Sequence, residues 1–479
     1  MERVAKFPAP AAESTPQPDL FAAIGLHGLA GIAPVLLAAL ATEEPLLLIG
    51  AHGTGKSLLL TRIAGALGLR FRHYNASLLN FDDLVGFPVP GKAGTLEYLK
   101  TPAAIWGAEV VFFDEISRCR PDVQNKIFPV VHERRVQGLA LEGLRFRWAA
   151  MNPPVTDEDP DQYIGSEPLD AALADRFAFV VDMPGWEQLT AGEQLRVIRG
   201  EGSEVSAAGS AALRNAVSRA HGLIAPLEAS LASGLGEYLR TLAPLLGTAG
   251  IRLSPRRMRM LFRTAIGVHA AAISLDTTSE ASDSVLLALR HGIPQRAEGH
   301  KVLETAILAA HKEAWRLAAV RPDDPLKAVL MATDPIERVR VAVLMKDLRK
   351  MDFSGVVAEA LARLPAGARE AAVVHVFETG AVGRLTAAVA EQAARIYAHV
   401  ATPLELNMPM HASRPEYRAW QRIKDILSRL DPADPREHLC ANALASCYSR
   451  KEILNPDAAE TAFMAFKAAD ARLTGRTSG

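Results

Sequence analysis

The stretch Leu46-Leu47-Leu48-Ile49-Gly50-Ala51-His52-Gly53-Thr54-Gly55-Lys56-Ser57 decides the fold of the first part of this chain. Its last eight residues match the phosphate-binding pattern G-x-x-x-x-G-K-S, and the four apolar residues before them are typical of a buried strand. Downstream, Leu59, Ile63 and Leu67 repeat at helical spacing, and Gly68 is placed to end the helix. Strand, loop and helix therefore follow in the order that a phosphate-binding loop requires. A chance glycine-rich turn would not be expected to have a strand before it and a helix after it.

The loop indicates which residues would hold a nucleotide. Glycines let the backbone N–H groups turn inward around phosphates, and the next helix presents its positive N-terminal end to them. Lys56 is expected to reach the β- and γ-phosphates, and the Ser57 hydroxyl to hold Mg²⁺. We predict that the nucleotide is contacted by Gly50, Ala51, His52, Gly53, Thr54, Gly55, Lys56, Ser57 and Leu58.

Composition limits the classes of protein to which the chain can belong. Its 479 residues are enough for two or three domains, and 49% hydrophobic residues supply buried cores. The net charge of -1 provides no field that would hold the chain on nucleic acid or anionic lipid. The sequence contains no apolar stretch of about 18 residues and no signal peptide, and three cysteines make no disulfide framework. We therefore expect a cytoplasmic protein without a membrane partner.

Apolar runs alternate with helical patterns from Pro45 to Met183, which predicts an α/β domain with a parallel sheet. The predicted strands are Leu46–Ile49, Leu69–Tyr74, Val110–Phe113, Phe146–Met151 and Phe177–Val181. After them the pattern is helical to the end of the chain. We predict a flexible tail at 1–20, the nucleotide-binding α/β domain at 21–184, a helical lid domain at 185–298 and a helical C-terminal domain at 299–479.

Two carboxylates follow the apolar run Val110–Phe113, at the end of a strand where open α/β sheets bind their ligands. Asp114 is suited to hold Mg²⁺ through water, and Glu115 to polarise the water that attacks the γ-phosphate. Strands often end in solvated acids, so the Asp114-Glu115 pair alone would not indicate catalysis. The catalytic assignment depends on the phosphate-binding loop upstream. Asn152 ends another predicted strand and could orient the water or contact the γ-phosphate, although an Asx turn before Pro153 is the alternative.

Together these residues resemble the AAA+ ATPases, and among them the MoxR family of the helix-2-insert clade. The likeness rests on Asp114-Glu115-Ile116-Ser117-Arg118, the helical stretch that follows it, and Met151-Asn152-Pro153, and it covers about residues 21–298. Pro129 departs from the family pattern, and a proline inside that helix is expected to kink it. The resemblance implies ATP and Mg²⁺ as ligands.

Two arginines carry further parts of the resemblance. Asp175-Arg176-Phe177 resembles a family motif whose arginine acts on the nucleotide of a neighbouring subunit; the alternative is an Asp–Arg surface pair. Ser254-Pro255-Arg256-Arg257 resembles the start of the sensor-2 helix, with Arg256 expected to point back at the phosphates of its own subunit. Arg259 and Arg263 share its helical face and are expected to be solvated.

Two further segments correspond to insertions of this clade. Residues 84–98 lie where the family carries an insert in its second helix, and Val136 to Arg145, expected to turn at Glu142-Gly143, lie at the hairpin before the sensor-1 strand. Both are expected to project toward a client or partner. The alternative is a pair of ordinary surface loops.

The resemblance implies a ring ATPase of six subunits that hydrolyses Mg-ATP and matures or activates a protein client together with a von Willebrand factor A-domain partner. Its catalytic residues would be Glu115, Asn152 and Arg256 in cis and Arg176 in trans. The C-terminal domain resembles no family and would bind the client or partner, or brace the ring. Two alternatives remain open: an ATP-driven nucleic-acid remodeller, and a nucleotide-gated scaffold with little turnover.

Overall fold

The computed structural model describes residues 20–90, 96–154, 166–202, 205–320, 324–332, 334–402, 415–431 and 433–475. The predicted tail at 1–20 lies outside these ranges except for its last residue. The chain divides into two compact units, Met1–Trp315 and Arg316–Gly479. Among the described residues, no helix combines the length and the apolar character needed to cross a membrane.

A five-stranded parallel sheet forms the centre of the first unit. The strands found in the described part of this unit are β1 (Leu46–Ile49), β2 (Phe71–Asn75), β3 (Phe87–Pro90), β4 (Leu96–Leu99), β5 (Val110–Asp114), β6 (Arg135–Val136), β7 (Leu139–Ala140), β8 (Phe146–Met151) and β9 (Phe179–Asp182). The main sheet has the order β2-β5-β8-β1-β9, and all its pairs are parallel. The predicted parallel sheet is therefore confirmed.

The central strands read as unbroken apolar runs because both faces of the sheet are covered. Every residue of β1 and β8 is buried, as are the first four residues of β5. Two strands begin later than their apolar runs. Leu69 still donates its N–H to the carbonyl of Ala64 at the end of a helix, and Phe177 donates to Ala174 in a turn, so neither residue is available to a sheet ladder.

Ten α-helices accompany these strands in the part of the unit that the structure describes, and the last of them crosses the boundary between the two units. They are α1 (Ala33–Thr42), α2 (Lys56–Leu67), α3 (Phe81–Val85), α4 (Pro121–Glu133), α5 (Ala171–Ala174), α6 (Ala191–Ile198), α7 (Ala207–Thr248), α8 (Pro255–Leu275), α9 (Ala281–Arg290) and α10 (Glu304–Ala318). Helix α4 continues past Pro129, and Val130 and Val131 are buried, so this proline does not remove the following turn from the core.

The two predicted projections are β-hairpins in which β3 pairs with β4 and β6 pairs with β7, both antiparallel. Residues 91–95, which follow β3 in the sequence, lie outside the described ranges. The second turns at Gln137-Gly138, with φ angles of 50° and 79°, and not at Glu142-Gly143 as expected from the sequence. Two successive positive φ angles suit the twist of a two-residue hairpin loop, and a glycine at the second position adopts one without strain.

The second unit is helical. Its helices in the described ranges are α11 (Pro325–Met331), α12 (Pro335–Leu344), α13 (Lys350–Arg363), α14 (Ala368–Glu378), α15 (Ala387–Ala401), α16 (Pro415–Leu427), α17 (Pro435–Ser449) and α18 (Pro456–Thr474). Four begin with a proline after a capping Asp or Asn, an arrangement in which the missing N–H of proline costs nothing. Phe353 and Phe466, both fully buried, belong to one continuous core.

The boundary between the units falls inside α10, whereas the sequence placed the start of the C-terminal domain at residue 299. Packing onto α7 explains this position. The Tyr238 hydroxyl lies 2.9 Å from His311 Nδ1, and the rings of Tyr238 and Trp315 meet edge to face with centroids 5.5 Å apart. The greater part of α10 therefore belongs to the first unit.

Candidate nucleotide site

The phosphate-binding loop leaves the buried strand β1 and enters α2. Gly53 and Gly55 both have a φ of +80°, a left-handed conformation that side-chain-bearing residues rarely adopt. Gly50 meets a different limit, since a Cβ there would lie 2.9 Å from both Met183 Cβ and Thr54 Oγ1. The loop shape therefore depends on glycine for two separate reasons, backbone conformation and close packing.

The side chain of Lys56 links the phosphate-binding loop to Asn152, which follows the neighbouring strand β8. Its Nζ donates to the carbonyls of Gly50 at 2.6 Å and Ala51 at 2.9 Å, and to Asn152 Oδ1 at 3.2 Å. Burial lowers the pKa of Lys56 from its usual value, although Asp114 and Glu115 oppose this shift. The ammonium is thus held among acceptors, within reach of the charges of Asp114, predicted to hold Mg²⁺, and Glu115, predicted to be catalytic.

Asp114 stands at the end of β5 within a set of donors. Ser57 Oγ donates to its Oδ2 at 2.6 Å, and the backbone N–H of Glu115 donates to its Oδ1 at 3.0 Å. His73 Nε2 lies 3.3 Å from Oδ2. Burial acts to raise the pKa of Asp114, but these hydrogen bonds outweigh it and hold the pKa below its ordinary value. The side chain is therefore anionic at neutral pH, and its oxygens could serve as metal ligands.

Glu115 follows with a left-handed backbone, φ 53° and ψ 40°, immediately before a short 3₁₀ turn at Ile116–Arg118. A residue other than glycine seldom adopts this conformation, and where it occurs it often serves to aim a functional side chain. Ser77 Oγ lies 3.3 Å from Glu115 Oε2 and 2.6 Å from Asn75 Oδ1, so its single proton is directed chiefly at Asn75. The Glu115 carboxylate is thus aimed chiefly by its left-handed backbone.

Asn152 is fixed from two sides at the end of β8. Its side-chain oxygen accepts from Lys56, while its carbonyl accepts from Ser166 Oγ at 3.1 Å. Ser166 in turn lies 3.1 Å from the hydroxyl of Ser117, just beyond β5. The structure therefore brings together five residues predicted from three separate motifs: Lys56, Ser57, Asp114, Glu115 and Asn152.

Arg176 lies elsewhere, in the turn after α5. Its guanidinium lies over the ring of Phe128, 4.7 Å from the centroid, and donates to the carbonyl of Ala172. Burial and the nearby charge of Arg256 lower the pKa of Arg176. Among the described residues its buried Nε has no hydrogen-bond partner. This guanidinium is only partly neutralised within its own chain.

Arg256 accompanies Arg176 and not Lys56. Its nearest acidic group is Asp175, at 3.5 Å, and 42% of its side chain is exposed. It lines a cavity of about 530 Å³ together with His132, Arg259 and Arg263, and no residue of the phosphate-binding loop lines that cavity. The sequence predicts that Arg256 acts on the phosphates of its own subunit, and that role stays a prediction; the contacts of Arg256 place it beside Asp175 and near the predicted trans arginine.

Two cavities flank the phosphate-binding loop. One, of about 550 Å³, is bounded by the loop, by the segment before α1 and by the residues after β9, including Leu26, His27, Trp186 and Val197. The other, of about 870 Å³, lies between the loop and the segment before α10, and its lining includes Thr54, Pro153, Arg296 and Lys301. The loop is therefore accessible from both sides.

Sequence reasoning missed two residues of this site, His73 and Ser77. Neither belongs to a motif, because a lone histidine on a strand and a serine in a turn are common in any protein. The only available signal was their position near the end of β2, since parallel strands that are neighbours present their carboxyl ends at the same edge. Using that signal requires knowing that β2 pairs with β5.

Comparison with known proteins relates one segment of the chain to a family. Residues 45–177 match the sequence model of the AAA domain, dynein-related subfamily. "Uncharacterized protein YeaC" of Bacillus subtilis (strain 168) is 30% identical over 158 residues, which are 33% of this chain and 48% of that protein, so the chain matches about half the length of this relative. The crystal structure of a "putative ATPase" from Cytophaga hutchinsonii shares 20% sequence identity over 54% of this chain and 79% of that chain, with a TM-score of 0.37.

Proposed function

We infer from the AAA domain at residues 45–177 that this chain binds ATP with Mg²⁺ and hydrolyses it to ADP and phosphate. The observation that carries this proposal is a pair of contacts across the sheet edge. Lys56 reaches Asn152 and Ser57 reaches Asp114, which joins the phosphate-binding loop to the ends of β8 and β5. Phosphoryl transfer needs positioned charges more than covalent chemistry, and this edge supplies them.

The donor set fits Mg²⁺, which prefers oxygen ligands and keeps several of its waters. Ser57 offers a hydroxyl and Asp114 a carboxylate whose lowered pKa keeps it ionised. We propose that these two residues hold the ion, Asp114 through water. When bound, Mg²⁺ would neutralise charge on the β- and γ-phosphates.

The other residues at this edge have distinct proposed tasks. The ammonium of Lys56 supplies positive charge to the phosphates, and the inward N–H groups of the loop bind their oxygens. Glu115 accepts a hydrogen bond from the attacking water and draws its proton away. Asn152 orients that water or contacts the γ-phosphate. The aimed backbone of Glu115 supports the catalytic assignment.

The smaller cavity beside the loop suits the base and ribose. Arg62 closes one end of it by donating to the carbonyls of Gly25 at 2.6 Å and Gly202 at 3.0 Å, which ties the segment before α1 to the turn after α6. Trp186 and Val197 add apolar lining. A planar base between apolar groups and backbone carbonyls is a common form of nucleotide binding.

We propose that Arg176 and Arg256 act on the nucleotide of a neighbouring subunit. The charge of Arg256 lies close enough to disfavour the charge of Arg176, and an anionic γ-phosphate from a neighbour would relieve that repulsion. An arginine in trans can contribute about 10³ to 10⁵ in rate in related NTPases. The arrangement supports a homo-oligomeric ring, with six subunits implied by the resemblance to MoxR proteins.

Remodelling of a protein client, with a von Willebrand factor A-domain partner, remains the proposal for the biological task. The two hairpins support a partner-facing surface. Tyr98 donates to Gln137 at 2.9 Å and so joins them, and they leave apolar side chains exposed, at 52% for Phe87, 61% for Leu99 and 49% for Leu139. Exposed apolar groups of this size suit a protein partner better than nucleic acid, which needs basic groups.

The test is ATP turnover by the purified full-length chain, with and without Mg²⁺, and with single- or double-stranded nucleic acid added. We expect Mg²⁺-dependent release of phosphate that nucleic acid does not stimulate. Stimulation by nucleic acid would favour the remodeller of nucleic acid. ATP binding without measurable turnover at any protein concentration would favour the nucleotide-gated scaffold.

A further inference from the structure

We propose that His73 is a positioning residue for the Mg²⁺ site, holding the carboxylate of Asp114 in the orientation that binds the ion's water. This inference rests on the proposed function, since it concerns the ligand of the same site. His73 belongs to none of the motifs that identify the site, and it lies on β2, outside the AAA motifs at the ends of β1, β5 and β8.

The pairing of two strands brings the histidine to the metal ligand. Strands β2 and β5 are parallel, with His73 opposite Phe112 and Asn75 opposite Asp114. The imidazole can therefore reach along the sheet edge toward the carboxylate, and its Nε2 lies 3.3 Å from Asp114 Oδ2. The hydrogen bond requires the proton to be on Nε2, so the ring donates and the carboxylate accepts.

Aromatic packing fixes the plane of the imidazole. The rings of His73 and Phe112 stack with centroids 4.6 Å apart and planes at 24°, and the ring of Phe71 lies 6.2 Å away on the same strand. A stacked ring loses little further freedom when it donates a hydrogen bond. The Nε2–H group is thus directed at Oδ2 before any ligand arrives.

The carboxylate has three donors, and they divide between its two oxygens. Ser57 Oγ and His73 Nε2 both approach Oδ2, while the Glu115 N–H approaches Oδ1. Ser57 is itself a proposed ligand of the ion, and its hydroxyl must adjust when the ion binds. His73 is not a ligand, so it keeps Oδ2 in place while Ser57 changes partner. Hydrogen-bond partners behind a metal ligand typically change metal affinity 10- to 100-fold when removed.

The alternative is that His73 merely covers Phe112. A covering role would be served equally by an apolar ring, whereas 43% of the His73 side chain is exposed at the edge where the phosphates would bind. A half-exposed imidazole pointing at a carboxylate gains more from the hydrogen bond than from burial. Positioning Asp114 requires a hydrogen-bond donor at residue 73, whereas covering Phe112 requires only a ring.

Two substitutions in the full-length chain separate these roles. His73→Phe keeps an aromatic ring on Phe112 but removes the donor, and His73→Gln keeps a donor but removes the ring. The readout is binding of a fluorescent ADP analogue as Mg²⁺ is titrated, with binding in the presence of EDTA and the thermal unfolding midpoint measured on each variant. His73→Ala replaces His73→Phe if the latter does not fold.

We expect His73→Phe to need about 10-fold more Mg²⁺ for half-maximal stimulation of binding, while His73→Gln stays within about threefold of the wild type. Binding in EDTA should be the same for all three proteins. The inference is overturned if His73→Phe shows the wild-type Mg²⁺ dependence, or if His73→Gln is as impaired as His73→Phe. If the wild type itself binds no nucleotide, the proposed function fails; Mg²⁺-dependent binding that ignores His73 removes only the role of His73.

Discussion

Arg257 Nε lies 3.3 Å from Asp175 Oδ1, so helix α8 is tied to the residue that precedes Arg176. Arg257 also donates to the carbonyl of Phe177 at 2.8 Å, and only 1% of its side chain is exposed. Arg256, its neighbour in sequence, is 42% exposed. Two successive arginines therefore have different tasks: one anchors the turn that carries Arg176, and the other presents its charge outward.

Replacing Arg257 by alanine should destabilise the first unit. The substitution removes one partner of a buried ion pair and leaves the Phe177 carbonyl without its donor, losses that typically cost about 3–5 kcal/mol. The matched control is Arg256→Ala, which breaks a long, exposed contact and should cost less than about 1 kcal/mol. Urea unfolding measures both. Equal midpoints for the two variants would contradict the anchoring role of Arg257.

The nucleotide site itself is tested by Lys56→Ala and Glu115→Gln. Lys56→Ala should abolish ATP binding, because the phosphates lose their principal counter-charge. Glu115→Gln should bind ATP with near wild-type affinity but hydrolyse it very slowly, since an amide cannot accept the proton of the attacking water. Equilibrium binding and steady-state turnover give the two measurements. Near wild-type turnover in Glu115→Gln would remove the catalytic role of Glu115.

A site shared between subunits is tested by mixing two inactive proteins. Arg176→Ala should lower turnover by 10³-fold or more while ATP affinity changes little, as for an arginine that contacts the transition state. Combining Arg176→Ala with Lys56→Ala subunits should restore part of the activity, because some interfaces pair an intact loop with an intact arginine. The same mixture made with Arg256→Ala should behave alike. Absence of any recovery would mean that each site lies within one chain.

The helical second unit is expected to serve partner binding or bracing of the ring, and not chemistry. A truncation after Val320 keeps all of α10, including His311 and Trp315 against Tyr238. It should bind ATP with wild-type affinity and lose the protein that copurifies with the full chain. A shorter form ending at Gly299 provides the comparison, and its thermal midpoint should be lower because Tyr238 loses both partners. Undiminished copurification with the first truncation would move recruitment to the two hairpins.

His291 should make the stability of the first unit depend on pH. Burial, with the charges of Arg296 and Arg290, lowers the pKa of His291 to about 4 in the folded chain, against about 6.5 in an unfolded one. Above pH 6.5 neither state takes up the proton, whereas between pH 6.5 and 4 only the unfolded state does. Stability is therefore lost as the pH falls through this range, by about 2 kcal/mol at pH 5.

The measurement is urea unfolding at pH 7.5 and pH 5.0 for the wild type and for His291→Gln, which cannot take up the proton. Other histidines with lowered pKa values, His269 and His311 among them, contribute to both proteins and cancel in the comparison. The wild type should lose about 2 kcal/mol more than the variant between the two pH values. Equal losses would show that His291 is not held neutral by the fold.

The sequence by itself determined the parts of the site that depend on neighbours along the chain. Strands β1 and β8 have the predicted bounds, and the loop and α2 follow as expected, because an apolar run, a glycine pattern and a helical repeat are local properties. The carboxylates at the end of β5 and the amide after β8 could also be assigned to one edge of the sheet, because the carboxyl ends of parallel strands lie at the same edge.

Only the tertiary structure decided where Arg256 and His73 lie. The direction of Arg256 depends on how α8 packs against the turn at Asp175, a contact between residues about 80 positions apart. The role of His73 depends on which strand pairs with β2, and the turn of the second hairpin at Gln137-Gly138 depends on the twist of its strands. The positions of Arg256 and His73 are fixed by the packing of segments that are distant along the chain, and the free energy of that packing leaves no pattern in the neighbouring sequence.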